Sequence, residues 1–359
     1  MKRNAQIIPS KPPAPLAGDL DHILIHTESL WEALRGRRVF ITGGTGFFGC
    51  WLLESFAYAN DRLDLGASAV VLTRSYDAFQ SKAPHLACNP AIKCHIGDIR
   101  DFDFPEGEFS HIIHAATSPS TGRRNEDHLF MFDTIVEGTR HTLDFAVYCR
   151  AKKFLLTSSG AVYGKQPSDM AHMPEDYCGS PDLTDPYSAY GEGKRAAELL
   201  CTLYAEQFRI ETKIARCFAF VGPYLPLDIH YAIGNFIRDG LNGGPILVNG
   251  DGTPCRSYLY AADLAIWLWT ILFRGQSCFP YNVGAEDIVT IAQLAHLVAR
   301  CVGTSIEVRI TKMQQPGRPL ERYVPSTKRA TLLGLTSFID LKQAVAETLK
   351  FNQGLLHRG

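Results

Sequence analysis

Tyr190 and Lys194 stand four residues apart in the string DPYSAYGEGKRAAELL. On a helix that spacing is about one turn, so both side chains share a face. A tyrosine ionises near pH 10 when unperturbed, about three units too high for a proton carrier at neutral pH. A neighbouring ammonium and a cofactor's positive nicotinamide ring would favour the phenolate and bring that value down, which makes the pair a candidate acid–base device. Upstream, LTSSGAVYG sets three hydroxyls in a row, Thr157, Ser158 and Ser159, before the small pair Gly160 and Ala161. A hydroxyl such as Ser159 can bond the same substrate oxygen that Tyr190 serves. A Tyr–Lys pair alone is a common surface arrangement, and its weight comes from the company it keeps.

That company includes ITGGTGFFGCWLL, in which Gly43, Gly46 and Gly49 follow an apolar run and open a helical pattern. Gly43 permits a tight turn, Gly46 lets backbone approach a pyrophosphate, and Gly49 allows close helix–strand packing. Phosphates would sit on free N–H groups at the helix start, beside Phe47 and Phe48. The chemistry indicated is that of a nicotinamide dinucleotide. The next apolar run ends VVLTRS, with Thr73 and Arg74 where an NAD site usually carries an acid for the ribose 2′-hydroxyl. A forked guanidinium suits a 2′-phosphate, so NADP(H) is favoured, with NAD(H) the alternative if Arg74 is only a solvated surface residue. GDIRD offers Asp98 and Ile99 at the adenine, and HAAT offers Ala115, Ala116 and Thr117 beneath the nicotinamide-side ribose.

Those groups need a scaffold, and the pattern supplies one. Apolar strands fit Val39–Thr42, Ala69–Thr73, Lys93–Ile96, His111–His114, Phe154–Ser158 and Thr212–Cys217, with helices near 46–60, 128–150 and 187–209. Strands alternating with helices imply parallel βαβ units. The fold class is therefore α/β: a Rossmann-type doubly wound parallel sheet with a smaller mixed α/β C-terminal substrate-binding region. The division is a 1–36 extension with a Pro-rich start (loosely held over 1–18, helical over 19–36), a 37–217 dinucleotide domain that regains a strand near 280–284, and 218–359. The chain has 359 residues, 46% of them hydrophobic, and a net charge of −1, which favours neither nucleic acid nor an anionic membrane as a partner. Its ten cysteines contain no CxxC pair, so no metal site is indicated, and no apolar run reaches the roughly 18 residues of a membrane span. With no signal-peptide pattern at the start, the expected setting is cytoplasmic.

The glycine loop, TSSGAVYG, YGEGK and RSYLYAADL, in that order, resemble the extended short-chain dehydrogenase/reductase superfamily, and within it the nucleotide-sugar epimerase/dehydratase branch. The resemblance covers roughly residues 37–350. It implies Tyr190 as acid/base, Lys194 as its partner that also binds the nicotinamide ribose, and Ser159 as the orienting hydroxyl. It further implies a nucleoside-diphosphate sugar held by Asn235, Arg256 and Arg322, and a homodimer through the helices near 128–150 and 187–209. In ARCFAFVGPYLP, Arg216, Gly222 and Pro223 match the family, while Ala219 replaces a usual Asn near the diphosphate. Tyr224 and His230 are candidates for the sugar or base pocket.

Relatives differ after the catalytic hydroxyl. The 4,6-dehydratases carry an Asp-Glu pair there, decarboxylases a Glu in the second position, and 3,5-epimerases a Cys. Gly160 and Ala161 carry no proton, which leaves hydride transfer at sugar C4. An NDP-4-keto-sugar reductase comes first because Arg74 favours NADPH, with a 4-epimerase as the alternative. A dehydratase with a borrowed acid and a non-catalytic cofactor-binding regulator follow. The small Gly160-Ala161 pair is read as leaving room for a sugar ring to turn.

Overall fold

The computed structural model describes residues 16–117, 127–229, 231–303, 306–314, 317 and 319–356. Seven strands form one parallel sheet: β1 (Arg38–Thr42), β2 (Ser68–Thr73), β3 (Ile92–Ile96), β4 (His111–His114), β5 (Lys153–Ser159), β6 (Glu211–Cys217) and β7 (Pro280–Val283), in the spatial order β7-β6-β5-β4-β1-β2-β3. The central strands are buried on both faces, so their sequences read as near-continuous apolar runs. Alternate side chains feed separate cores. Phe40 joins Phe102, Phe145 and Phe154 on one face, while Val39 and Ile41 join Trp51, Phe56 and Leu268 on the other.

Helices α1 (Ala17–Thr27), α2 (Phe47–Arg62), α3 (His128–Tyr148), α4 (Ala189–Phe208), α5 (Ala232–Leu241) and α6 (Ala261–Arg274) complete the frame. Because β1 lies between β2 and β4, the chain runs out to opposite sides of it, opening a crevice at the C-terminal strand ends. The glycine loop between β1 and α2 enters that crevice.

Helix α6 is buried nearly throughout and apolar almost all round, with a lid of its own. Part of that lid is α1 and the turn after it. Trp31 packs on Trp269 with ring centroids 4.7 Å apart, and the Tyr260 hydroxyl donates to Asp19 at 2.9 Å. The helix starts at Ala17, so the segment expected to be loosely held is already packed by that point; residues 1–15 lie outside the described ones.

The C-terminal region is built of short pieces. Cys255–Arg256 pairs antiparallel with Val289–Thr290 and parallel with Arg322–Tyr323, in a register that sets Tyr323 beside Arg256. No helix among the described residues is long and apolar enough to cross a membrane, and no described His/Cys/Asp/Glu cluster could hold a metal ion.

Candidate active site

The three hydroxyls at the end of β5 have three different tasks. The Thr157 hydroxyl donates to the His114 carbonyl at 3.2 Å, and its own carbonyl accepts from Lys194 Nζ at 2.9 Å. Ser158 points to the back and donates to Glu198 at 2.5 Å. Ser159 faces a cavity of about 1120 Å³, where its oxygen accepts from Ala161 N–H at 3.1 Å, and Tyr190 lines the same cavity. Strand alternation puts Ser158 and Ser159 on opposite sides, so one serine braces the shelf and the other serves it.

The brace is a buried ion pair. Arg216 reaches both Glu198 oxygens, at 2.7 Å at its shortest, and also donates to the Tyr163 hydroxyl at 2.8 Å. Tyr163 in turn donates to Asn282 on β7. Arg216 thus holds the shelf from behind and does not line the cavity.

Tyr190 and Lys194 occupy the first turns of α4, with the Lys194 ammonium 5.9 Å from the Tyr190 ring centroid. Without the positive nicotinamide ring that the sequence reading pairs with it, the ammonium is not the dominant influence on the phenol. Enclosure pushes the Tyr190 phenol well above the ordinary tyrosine range, and the nearby Ser159 hydroxyl offsets only part of that. Burial also loosens the Lys194 proton, to about 8, against the opposing pull of Cys217 and Glu198. His114, behind the shelf between Thr42 and Thr139 hydroxyls, is pushed down to about 3 by burial and stays neutral.

Gly160 is small for a reason opposite to the one read from sequence. A Cβ there would lie 2.7 Å from the Phe218 ring and 2.8 Å from the Tyr323 hydroxyl. The space is filled, not free. Phe218 and Tyr323 pack with ring centroids 4.7 Å apart, and the Tyr323 hydroxyl stands 3.5 Å from Ser159 Oγ. Burial pushes the Tyr323 phenol up to about 12.

The three loop glycines differ in what surrounds them. Gly43 has φ +67°, and a Cβ on it would meet Ala115 backbone at 2.5 Å. A Cβ on Gly49 would meet the Gly43 carbonyl at 2.3 Å, so Gly49 serves packing and does not line the cavity. Gly46 leaves its helix start open, with Phe47 and Phe48 beside it on the cavity wall. Thr73, Arg74, Asp98, Ile99, Ala115, Ala116 and Thr117 also line it, running from the end of β2 to the end of β4. Arg100 bonds Asp98 at 2.8 Å and holds its carboxyl below the usual range. The cavity, at about 1120 Å³, exceeds the about 300–1,000 Å³ of a single small-molecule site.

Of the residues assigned to that second ligand, Asn235 and Arg256 line the cavity. Asn235 Oδ1 accepts from Arg238 at 3.1 Å, which leaves its NH₂ to donate. Arg256 bonds Glu321 at 2.5 Å. Arg322 does not line the cavity, a correction to the sequence reading: its guanidinium donates to the Ser168 carbonyl, and the adjacent Tyr323 faces inward instead. Tyr224 is likewise turned away, donating to Glu54 at 2.5 Å, and His230 lies outside the described residues. Sequence reasoning missed Phe218, Tyr323 and Lys82. Only Tyr323 had a local signal, as the strand neighbour of a residue already singled out.

A doubly wound sheet with a glycine-loop crevice, joined to a Ser–Tyr–Lys centre at the end of β5, defines a nicotinamide-dinucleotide enzyme fold. Residues 39–284 match the NAD dependent epimerase/dehydratase family, and the chain belongs to it. The chain is similar to UDP-glucuronic acid decarboxylase 5 of Arabidopsis thaliana, 29% identical over 86% of this chain and 87% of that one. It is also similar to UDP-glucuronic acid decarboxylase 1 of Xenopus tropicalis, 27% identical over 88% and 72%. Its fold is that of UDP-glucose 4-epimerase from Thermotoga maritima, solved with UDP-glucose (TM-score 0.74, 20% identity, 89% of this chain and 99% of that one). The same holds for dTDP-glucose 4,6-dehydratase from Streptomyces venezuelae, solved with NAD bound (TM-score 0.74, 23% identity, 88% and 97%).

Proposed function

We propose that this enzyme transfers hydride at C4 of a nucleoside-diphosphate sugar, working as an NADPH-linked 4-keto-sugar reductase. The observation that carries this reading is at the two positions where relatives carry acids: Phe218 and Tyr323 fill the space at Gly160, and Ala161 has no proton-carrying side chain. Among the described residues lining the cavity, Asp98 has the one carboxylate, and Arg100 holds it. Elimination and decarboxylation lack a local acid or base; carbonyl reduction needs only Tyr190 and Ser159.

A bound nicotinamide supplies the hydride. As C4 is reduced, negative charge grows on its oxygen, and Tyr190, kept protonated by enclosure, gives its proton there. Ser159 bonds the same oxygen and fixes its direction. Lys194 keeps a positive charge beneath the ribose, anchored by the Thr157 carbonyl. Asn235 and Arg256 are the proposed diphosphate ligands, and Arg74 favours NADP(H) over NAD(H). A homodimer is part of the proposal, supported by Leu129, Leu199, Leu203 and Phe208, which stand exposed on α3 and α4.

The test is cofactor stoichiometry. With an NDP-4-keto-6-deoxyhexose, one NADPH is consumed per sugar reduced. Interconversion of NDP-hexose C4 epimers without net cofactor change would assign the epimerase instead, and release of CO₂ from an NDP-uronic acid the decarboxylase.

A further inference from the structure

One face of α4 buries Lys194, Glu198 and Cys201, spaced i, i+4 and i+7. Lys194 is almost fully enclosed, with its ammonium on the Thr157 carbonyl. The titratable groups that face it are Tyr190, Glu198 and Cys201 from its own helix, Cys217 from β6 and His114 from β4. Burial keeps both thiols protonated and His114 neutral, and enclosure keeps Tyr190 a phenol. Glu198 therefore brings the negative charge of that set. It is also the most firmly held of them. Its Oε1 accepts from Ser158 at 2.5 Å and from Arg216 Nε at 3.0 Å, and its Oε2 accepts from Arg216 Nη2 at 2.7 Å. Arg216 is pinned from the far side, giving Nη1 to the Tyr163 hydroxyl at 2.8 Å and to the Glu175 carbonyl at 3.2 Å. A carboxylate gripped by a forked guanidinium cannot swing over to pair with Lys194. It acts on that ammonium from a fixed place.

We propose that Glu198 is a positioning residue with two tasks: it ties down Ser158 so that Ser159 keeps its aim into the cavity, and it is the fixed counter-charge to Lys194. The inference rests on the reading of Ser159, Tyr190 and Lys194 as the reacting centre. Ser158 and Ser159 are consecutive on β5 and point to opposite sides, so holding the first sets the rotation of the second. When Tyr190 gives its proton to the sugar oxygen it is left a phenolate, which a charged Lys194 stabilises and a neutral one does not. Burial works against that charge, and Glu198 works for it.

Two variants of the full chain separate the tasks. Glu198→Gln keeps the shape and removes the charge, while Ser158→Ala keeps the charge and cuts the tie to the strand. The Lys194 titration is followed by NMR on protein labelled with ¹³C at lysine Cε, its signal assigned by its loss in Lys194→Arg, and kcat is measured against pH with NADPH and an NDP-4-keto-6-deoxyhexose. In Glu198→Gln the Lys194 titration is expected to fall by about one pH unit, and the alkaline decline of kcat to move down with it. In Ser158→Ala the titration is expected to stay in place while kcat drops roughly 2–10-fold with KM for NADPH unchanged. An unmoved titration in Glu198→Gln would overturn the counter-charge, and a wild-type kcat in Ser158→Ala would overturn the tie. Lower urea midpoints with both readouts unchanged would leave Glu198 a structural residue only. If Glu198→Gln does not fold, the kcat of Ser158→Ala decides. The titration is read without turnover, so it stands apart from the reading of the centre, which fails if Tyr190→Phe keeps its kcat.

Discussion

The glycine-loop end and the aromatic end of the cavity meet at Ser159 and are made of different material. At the glycine loop, the walls are backbone and strand ends contributed in chain order: Gly43 and Gly46, then Thr73 and Arg74, then Asp98, then Ala115 to Thr117. At the other end, Phe218 and Tyr323 arrive from segments 105 residues apart and press against Gly160. The first end is shaped to receive a ligand common to many folds of this kind. The second is where, on the proposed function, steric exclusion limits the chemistry of the shelf. Cofactor binding and reaction type are therefore separable by mutation.

The largest separation is expected from Tyr190→Phe. Removing the proton donor lowers kcat by about 10²–10⁴-fold, while NADP⁺ titration gives an unchanged affinity. Steady-state kinetics and calorimetry on one preparation check both halves. An undiminished kcat would remove Tyr190 from the mechanism.

Gly160→Ala probes the aromatic wall. The added methyl meets ring and hydroxyl at under 3 Å, and the resulting displacement costs about 1–3 kcal/mol of stability, read as a lower midpoint in urea. Cofactor affinity is expected to hold, since the glycine loop is not touched. A variant as stable as wild type would mean that Phe218 and Tyr323 yield easily and do not define the site.

Tyr323→Phe is the finest probe, because it keeps the ring and removes one hydroxyl. Losing its contact with Ser159 costs about 0.5–1.5 kcal/mol, or roughly 2–10-fold in kcat with KM for NADPH unchanged. A change confined to KM for the sugar would instead make Tyr323 a binding surface.

The same contrast explains what the sequence disclosed. Gly43, Gly46, Gly49, Tyr190 and Lys194 are set by local spacing on single turns, and local spacing is written in the chain. The strands of the sheet were legible because burial on both faces leaves uninterrupted apolar runs. Tyr323 and Phe218 were not, because only the pairing of Arg322–Tyr323 with Cys255–Arg256 brings that segment to the shelf. The sequence singled out Arg322, while the structure turns the adjacent Tyr323 to the cavity, since one residue along a strand reverses the face. Gly160 was legible as small but not as crowded, since crowding depends on those distant rings. The lowered phenol expected from Lys194 and a cofactor's positive ring concerns the loaded site; in the protein alone enclosure dominates, and the four-residue spacing does not carry that.

The central claim is that the shelf performs hydride transfer at C4 and nothing further. Its most direct test is to run the reaction with NADPH deuterated at the transferred position, and separately with unlabelled NADPH in D₂O, reading the product by NMR. The account predicts deuterium from the cofactor at C4, and no solvent deuterium at C5 or C6. Solvent label at C5 or C6, or loss of the cofactor's label from C4, would show acid–base chemistry for which Gly160 and Ala161 supply no group.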